Sequence, residues 1–374
     1  MVRESHRARR PKVAIAHDYL TQRGGAERVV LALARAFPDA TVHTTMYDRD
    51  STFPEFADLP VRVTALNRTP LRRAHRAALP LLPLAVGRHR IDADVTIASS
   101  SGWAHGFPTS GRKLVYCYSP ARWLYDFDRY RGDRPRPGLA DLGIGLLGPA
   151  LRRWDRRAAT SADGYLAISR AVRDRIQKTY GVDAEVLPAP VTLTPHGAES
   201  VVPAVRDWAD DGYALVVSRL LPYKNVGPVI EAFRGDVERL VVVGSGPLLP
   251  ELVRSSPKNV RIVSDLTDAQ VRWVYANATV LVAPSFEDFG LTPLEAAGHG
   301  VPTAALRWGG YLDTIDPAVN GEFFAEPTPA AIRAAVRRVR SRTWDRAAIV
   351  RLVRGFSEER FIGEIRAHVD RMSE

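Results

Sequence analysis

Short apolar runs alternate with helical segments along almost the whole chain, and this alternation limits the folds that the chain can adopt. Runs of this kind, bounded by turn residues, are typical of buried parallel strands. In the first half the predicted strands cover 12–17, 41–46, 61–63, 94–99, 113–119, 164–168 and 185–191. In the second half they cover 213–217, 240–244, 260–263, 279–283 and 302–306. The alternation predicts an α/β chain in which helices cover parallel sheets.

A polar segment, 192–212, separates the two series of strands and is the best candidate for a linker. Two consecutive series predict two doubly wound domains that face each other across a cleft. We place the N-terminal domain at 1–195 and the C-terminal domain at 196–355. Residues 356–374 are amphipathic and predict a terminal helix, for which packing against the N-terminal domain is one option.

The charge balance favours anionic partners. The 374 residues include 52 Lys and Arg against 42 Asp and Glu, which gives a net charge of +10. Phosphorylated substrates, an anionic lipid surface and nucleic acid all suit such a balance. Within the segment 72–90, arginines flank an apolar stretch in the manner of an interfacial segment. Ordinary packing with a solvated basic edge is the simpler interpretation of that segment.

Cysteine usage and hydropathy bear on the compartment. Cys117 is the only cysteine, so an intramolecular disulfide is excluded and a reducing compartment is expected. No stretch approaches eighteen uninterrupted apolar residues, so the sequence predicts no membrane span. We expect a cytoplasmic protein, with peripheral contact at the inner face of the plasma membrane left open.

Two carboxylates stand on either side of a predicted helix start in the stretch 285–295. Glu287 follows a predicted strand directly, and Glu295 lies in the first turn of a helix that Thr292 would cap. The carboxyl ends of parallel strands are where α/β sheets bind ligands, and free N–H groups at a helix start favour an anion. A capping box, Thr292-x-x-Glu295, explains Glu295 equally well. It explains neither Glu287 nor Gly290.

Loops after two other strands of the second half add complementary groups. Arg219 and Lys224 follow the first strand, and Gly244, Ser245 and Gly246 follow the second. Two cations, a glycine-rich turn and a helix start suit a diphosphate. The two carboxylates suit ribose and sugar hydroxyls.

The first half offers a glycine turn and two aromatic loops. Gly24 and Gly25 stand between the first strand and a helix, where they would let a ligand approach the backbone closely. Aromatic and basic residues crowd onto two strand-end loops, which indicates a binding surface rather than core. The residues of this candidate acceptor surface are Trp103, His105, Tyr118, Arg122 and Trp123, and core packing explains two of them equally well.

Several motifs that would indicate other chemistry are absent. Gly244-x-Gly246 lacks the third glycine of the dinucleotide fingerprint and has Leu249 in that place, and no Walker sequence is present. The D-x-D at 92–94 precedes a buried strand, where acids mark the turn. His and Cys show no metal-ligand spacing. We therefore expect neither a metal nor a resident cofactor.

Together these residues resemble the GT-B glycosyltransferases of family GT4, which are retaining enzymes. The resemblance rests on Arg219 with Lys224, Gly244-Ser245-Gly246 and Glu287-x7-Glu295. The stretch 17–27, His-Asp-Tyr-Leu-x3-Gly-Gly-Ala-Glu, is similar to the branch rich in GDP-mannose-dependent mannosyltransferases. The resemblance implies two Rossmann-like domains. It also implies metal-independent transfer of mannose from GDP-mannose to a hydroxyl of a growing mannoside, a polysaccharide or a lipid-linked oligosaccharide.

The same resemblance gives each position a role. Arg219 and Lys224 would bind the donor diphosphate, and Glu287 would hold the transferred sugar. Glu295 would bind the ribose. Further donor contacts would come from Gly24, Gly25, Gly244, Ser245, Gly246, Val263, Leu266, Phe289, Gly290 and Leu291. This branch has a histidine where Tyr118 stands, so His105 is a candidate to supply the catalytic imidazole and is equally a candidate acceptor contact.

Other classes remain open at this point. Another GT-B enzyme that uses a UDP-sugar, or acts as an epimerase or a phosphorylase, fits the same motifs. A basic nucleic-acid-binding protein fits the charge alone and gives Glu287 no role. We therefore expect a nucleotide-sugar donor and a glycan acceptor as partners, and no nucleic acid.

Overall fold

The computed structural model describes residues 11–73, 78, 81–126, 139–191 and 195–374. The basic tail 1–10 and part of the segment 72–90 lie outside the described residues. The strands are β1 (Val13–His17), β2 (Thr41–Thr44), β3 (Val61–Val63), β4 (Val95–Ser100), β5 (Arg112–Cys117), β6 (Gly164–Ala167), β7 (Glu185–Val186), β8 (Tyr213–Val217), β9 (Leu240–Val243), β10 (Val260–Val263), β11 (Ala278–Ala283), β12 (Thr303–Leu306) and β13 (Gly321–Phe324).

Helices lie between most of these strands and after the last of them. They are α1 (Gly25–Ala36), α2 (Leu82–Gly87), α3 (Arg122–Tyr125), α4 (Leu139–Ala159), α5 (Arg170–Tyr180), α6 (Val226–Ala232), α7 (Leu249–Ser255), α8 (Asp268–Ala276), α9 (Leu291–Gly298), α10 (Tyr311–Thr314), α11 (Pro329–Ser341), α12 (Arg346–Val353) and α13 (Glu358–Ser373). Among the described helices, none combines the length and the apolar character needed to cross a bilayer.

The strands form two parallel sheets. The first sheet has the order β3-β2-β1-β4-β5-β6-β7, and the second has the order β10-β9-β8-β11-β12-β13. In each sheet the strand order reverses once, between β1 and β4 and between β8 and β11. Crevices outside the carboxyl ends of the strands at such reversal points are where open α/β sheets bind ligands. We call the two sheets with their helices the N-terminal lobe and the C-terminal lobe.

The central strands of the two sheets are buried along most or all of their length. Every residue of β1, β4 and β9 is buried, because helices cover both faces of each sheet. Ile15 pairs with Ile97 across β1 and β4 in the middle of the N-terminal core. The strand pattern therefore reports burial on both faces.

Two strands differ most from the prediction, and the others differ only in their ends. The segment 185–191 forms only the two-residue β7, because Pro188 and Pro190 have no backbone N–H with which to continue a ladder. The strand β13 was not predicted from the sequence; it pairs with β12 and completes the six-stranded sheet. The change from one sheet to the other falls between Val186 and Tyr213. The domain boundaries at 195 and 355 stay a prediction.

The last helix returns to the N-terminal lobe. Phe361, Ile365 and Val369 of α13 are buried in the N-terminal core, where the ring of Phe361 meets that of Tyr116. On the outside, Arg366 Nε donates to the carbonyl oxygen of Ala36 at the end of α1, over 2.9 Å. The chain therefore crosses from one lobe to the other twice.

Candidate active site

The loop after β8 brings a lysine to the carboxylate predicted to hold the sugar. Lys224 ends a 3₁₀ turn, and its Nζ pairs with Glu287 Oε1 from the loop after β11. The turn is fixed because Asn225 adopts a left-handed conformation (φ 54°) and its side chain donates to the carbonyl oxygen of Pro284 over 2.9 Å. Lys224 is 7% exposed, and its charge faces the carboxylate of Glu287.

Arg219 reaches from the same loop to the N-terminal lobe. Its Nη1 lies 3.4 Å from Gln22 Oε1, and Gln22 Nε2 donates in turn to Glu27 Oε1 over 3.0 Å. Gln22 and Glu27 flank Gly24 and Gly25 at the start of α1. The predicted donor residues of the two lobes therefore share one crevice.

The glycine-rich turn after β9 packs directly on the Arg219 loop. A Cβ at Gly244 would lie 1.9 Å from the carbonyl oxygen of Ser218, so a side chain there would clash. The N–H of Leu220 donates to the carbonyl oxygen of Ser245 over 2.8 Å. Gly244 N also donates to the carbonyl oxygen of Val263 over 2.9 Å, which places Val263, another predicted donor contact, alongside. The structure gives these glycines a packing reason, and their contact with a donor stays a prediction.

The stretch 285–295 forms a tight turn into α9, and its helix start differs from the prediction. Gly290, with φ of 91°, is the N-cap, and α9 begins at Leu291. Among the residues that the structure describes, no side chain caps this helix start, so the capping-box interpretation of Glu295 is wrong. Glu295 instead accepts a hydrogen bond from the hydroxyl of Tyr275 over 2.7 Å. Burial raises the pKa of Glu295 above its usual range.

The N-terminal side of the crevice contains a buried polar network, in which His17 and Glu27 had no individual predicted role. His17 Nδ1 lies 3.0 Å from Ser99 Oγ, which lies 2.9 Å from the hydroxyl of Tyr118. Burial alone would lower the pKa of His17, but the neighbouring Glu27 carboxylate outweighs it and raises that pKa. Glu27 Oε2 is buried without a hydrogen-bond partner in the part of the chain that the structure describes. In the sequence, the only indication of a role for His17 and Glu27 was their place at the two ends of the stretch 17–27.

Asp18 shapes the loop after β4. Its two carboxylate oxygens accept from the N–H groups of Ser101, Trp103 and Ala104 over 2.6–2.9 Å. Trp103 is consequently fixed between the rings of Tyr19 and Trp123 and is 2% exposed.

The predicted acceptor surface is more enclosed than expected. His105 is 3% exposed, with Nε2 3.0 Å from Asp155 Oδ1 and Nδ1 3.1 Å from Ser100 Oγ. Its burial and these two contacts give His105 a packing role in the core of this lobe, and its catalytic or acceptor-binding role stays a prediction. Trp103, Tyr118 and Trp123 are also buried. Arg122 alone of the five is partly exposed, and it faces the C-terminal lobe.

Two doubly wound parallel sheets with a charged crevice between their carboxyl ends define the GT-B fold, and solved structures agree. A sucrose-phosphate synthase from Thermosynechococcus elongatus has a TM-score of 0.70 at 17% identity, over 96% of this chain and 99% of that one. HepE of Anabaena in complex with UDP-glucose has a TM-score of 0.67 at 16% identity, over the same shares. The predicted fold class is confirmed.

Two family models match the two halves. "Glycosyltransferase Family 4" matches residues 23–199, and "Glycosyl transferases group 1" matches residues 204–351. The chain is a GT4-type GT-B glycosyltransferase. Alpha-1,3/1,6-mannosyltransferase ALG2 of Homo sapiens is 26% identical to it over 99% of this chain and 98% of that protein. The transferase class is confirmed, whereas the mannosyl branch and the individual site residues stay predictions.

Proposed function

We propose that this chain is a retaining mannosyltransferase that moves mannose from GDP-mannose to a hydroxyl of a glycan acceptor. The observation that carries the proposal is the pairing of Lys224 with Glu287 in a crevice that Arg219 also enters. A sugar nucleotide needs a cation that binds its diphosphate and, beside it, a carboxylate that binds its sugar. The whole-length likeness to a protein named a mannosyltransferase favours mannose as the sugar.

The proposed chemistry needs fixed charges more than it needs an acid or a base. As the bond from the anomeric carbon to the diphosphate breaks, negative charge grows on the diphosphate and positive charge grows on the sugar. The negative charge of the leaving diphosphate is stabilised by Arg219, by Lys224 and by the N-terminal end of α9. In this scheme these groups need no rearrangement when the reaction begins. The departing diphosphate accepts the proton of the acceptor hydroxyl on the same face, which retains the anomeric configuration. No step of this scheme uses a metal ion.

A UDP-sugar is the alternative donor, since HepE, which shares this fold, was solved with UDP-glucose. A thermal-shift panel of GDP, UDP and ADP, each with and without its sugar, separates the two donors. A ligand at 100 times its Kd adds roughly 2.7 kcal/mol to the free energy of unfolding. We expect the largest shift with GDP and GDP-mannose. A larger shift with UDP would mean that the donor is a UDP-sugar and not GDP-mannose. If no nucleotide shifts the melting temperature, the proposed function is refuted.

Replacing Glu295 by glutamine should weaken the binding of GDP, UDP and ADP alike, because all three nucleotides contain the ribose that Glu295 is predicted to bind. A hydrogen bond to a charged group contributes about 1.5–3 kcal/mol, so we expect a loss of about 10- to 100-fold in affinity. In the wild type, acidification through the raised pKa of Glu295 protonates its carboxylate, so the ribose hydroxyls lose a charged acceptor. Nucleotide affinity should therefore fall at a higher pH than an ordinary glutamate would cause. Isothermal titration across pH measures both effects.

The exposed Glu326 provides the matched control for Glu295, since Glu326→Gln should leave nucleotide affinity unchanged. Affinity that falls with acid equally in the wild type and in Glu295→Gln would contradict the ribose contact.

We also propose that the N-terminal lobe contacts anionic membranes through α2 and its surroundings. Leu81 and Leu84 are 47% and 55% exposed, and they line a groove of about 310 Å³ beside Arg88. Apolar side chains next to a cation suit the interfacial region of a charged bilayer. Leu84→Ser should reduce co-sedimentation with phosphatidylglycerol vesicles, whereas Val237→Ser, at an exposed position of the C-terminal lobe, should not. Equal binding to pure phosphatidylcholine vesicles would contradict the charge contribution.

A further inference from the structure

The residue after the predicted sugar-binding carboxylate spans the crevice. Asp288 Oδ2 accepts from Arg122 Nε over 2.8 Å, and Asp288 Oδ1 accepts from Arg175 Nη1 over 2.8 Å. Arg122 begins α3 and Arg175 lies on α5, so both cations belong to the N-terminal lobe. Arg175 Nη1 also donates to Ser119 Oγ over 2.7 Å, which fixes its position at the end of β5.

The charges in this cluster are ionised and largely shielded. The Asp288 side chain is 13% exposed, and each arginine side chain is 25% exposed. Burial alone would raise the pKa of Asp288, but the two guanidinium groups outweigh it and hold that pKa below the usual range. A shielded ion pair with several hydrogen bonds contributes little net stability, whereas loss of one partner is costly. Such a cluster specifies geometry more than it adds stability.

The backbone on both sides of Asp288 transmits its position to the site. The carbonyl oxygen of Glu287 accepts from Gly310 N over 3.0 Å. Phe289, on the other side, is buried with residues of the N-terminal core and meets the ring of Phe356. Because adjacent Cα atoms are about 3.8 Å apart, a shift of Asp288 moves the carboxylate of Glu287 with it.

We propose that Arg122, Asp288 and Arg175 form a positioning bridge that ties the Glu287 loop to the N-terminal lobe. The bridge aligns the sugar-binding carboxylate with the acceptor side of the crevice, and this role rests on the proposed function. It assigns Arg122 to positioning instead of acceptor contact. Among the described contacts, the bridge makes no hydrogen bond to Arg219 or Lys224, so we expect it to affect the rate of transfer more than the binding of the diphosphate.

Asp288→Asn keeps the side-chain shape and removes the charge. We expect kcat for sugar transfer to fall at least tenfold while the donor KM stays within about twofold, since Arg219, Lys224 and Glu295 are unchanged. Arg175→Lys should retain more of kcat than Arg175→Met does. A wild-type kcat in Asp288→Asn, or a rise in donor KM that accounts for the whole loss, would overturn the proposal.

Asp313→Asn is the matched control. Asp313 also joins the lobes, accepting from the N–H of Arg170 over 2.7 Å, and its side chain is 11% exposed. It lies on α10, outside the Glu287 loop. We expect its kcat and KM to match the wild type. An equal loss of kcat in both variants would mean that any contact between the lobes has the same effect, and it would overturn the specific role of Asp288.

A distance measurement tests the bridge without activity. Spin labels at Ser51→Cys and Val237→Cys report the separation of the lobes, and the buried Cys117 should remain unlabelled. Asp288→Asn should broaden the distance distribution relative to the wild type, whereas the exposed control Glu326→Gln should leave it unchanged. An unchanged distribution in Asp288→Asn would overturn the bridge. If the wild type transfers no sugar, the proposed function fails and this distance measurement still decides the bridge.

Discussion

Lys224→Ala should lower kcat for sugar transfer on the order of 10²–10³-fold, by analogy with the loss of one oxyanion-hole donor. Lys224 is mostly buried and pairs with Glu287, so the variant loses the cation for the leaving diphosphate and the partner of the sugar-binding carboxylate together. Glu287 is 26% exposed, so water can solvate it once the lysine is gone, and the fold should persist. Single-turnover kinetics with saturating donor measure the loss, and circular dichroism checks the fold.

Lys113→Met is the matched control for this prediction. Lys113 is also buried, but its Nζ donates to the carbonyl oxygen of His105 in the N-terminal lobe, over 2.8 Å. Its replacement should lower the melting temperature and leave kcat of the folded fraction nearly unchanged. Near-normal turnover in Lys224→Ala would refute the role of that lysine, and so would an equal loss of kcat in both variants.

Gly290→Ala should destabilise the C-terminal lobe and abolish most transfer. An L-residue in the left-handed region costs about 1–2 kcal/mol, and overpacking a core adds about 1–3 kcal/mol. Both penalties apply, because Gly290 has φ of 91° and an added Cβ would lie 2.5 Å from the ring of Tyr311. For a lobe of this size we expect the melting temperature to fall by about 10 °C. Transfer should fall as well, since Glu287 belongs to the same turn.

Gly235→Ala separates the two penalties. Gly235 has φ of 73°, and an added Cβ would meet nothing within 4 Å, so only the backbone penalty applies. Its melting temperature should fall by less than half as much as that of Gly290→Ala, and transfer should continue at the wild-type rate. Equal shifts in differential scanning calorimetry would show that the Tyr311 contact contributes nothing.

The strand pattern was sufficient to predict that Arg219, Lys224 and Glu287 lie in one crevice. Each follows a buried strand of the same parallel sheet, and parallel strands end at the same edge. The sequence therefore predicted the lobes and the charged side of the site. It could not predict the hydrogen bond from Tyr275 to Glu295, because the capping-box spacing gave Glu295 a local partner that the fold does not use.

Contacts between distant segments account for the remaining differences. His105 looked accessible because its loop follows a strand, yet Asp155 of α4 encloses it. Asp288 and Arg175 are 113 positions apart in sequence, so no local spacing indicates that they meet. β13 was missed because Gly-Glu-Phe-Phe is too short and too mixed to show a strand period.

The return of α13 has a consequence for how the molecule is made and how it moves. The N-terminal lobe buries Phe361, Ile365 and Val369, so its core is incomplete until residues 358–373 have been synthesised. We therefore expect this lobe to mature after the C-terminal lobe, in reverse of the order of translation. Two covalent connections between the lobes also favour hinge opening over rotation of one lobe about a single tether.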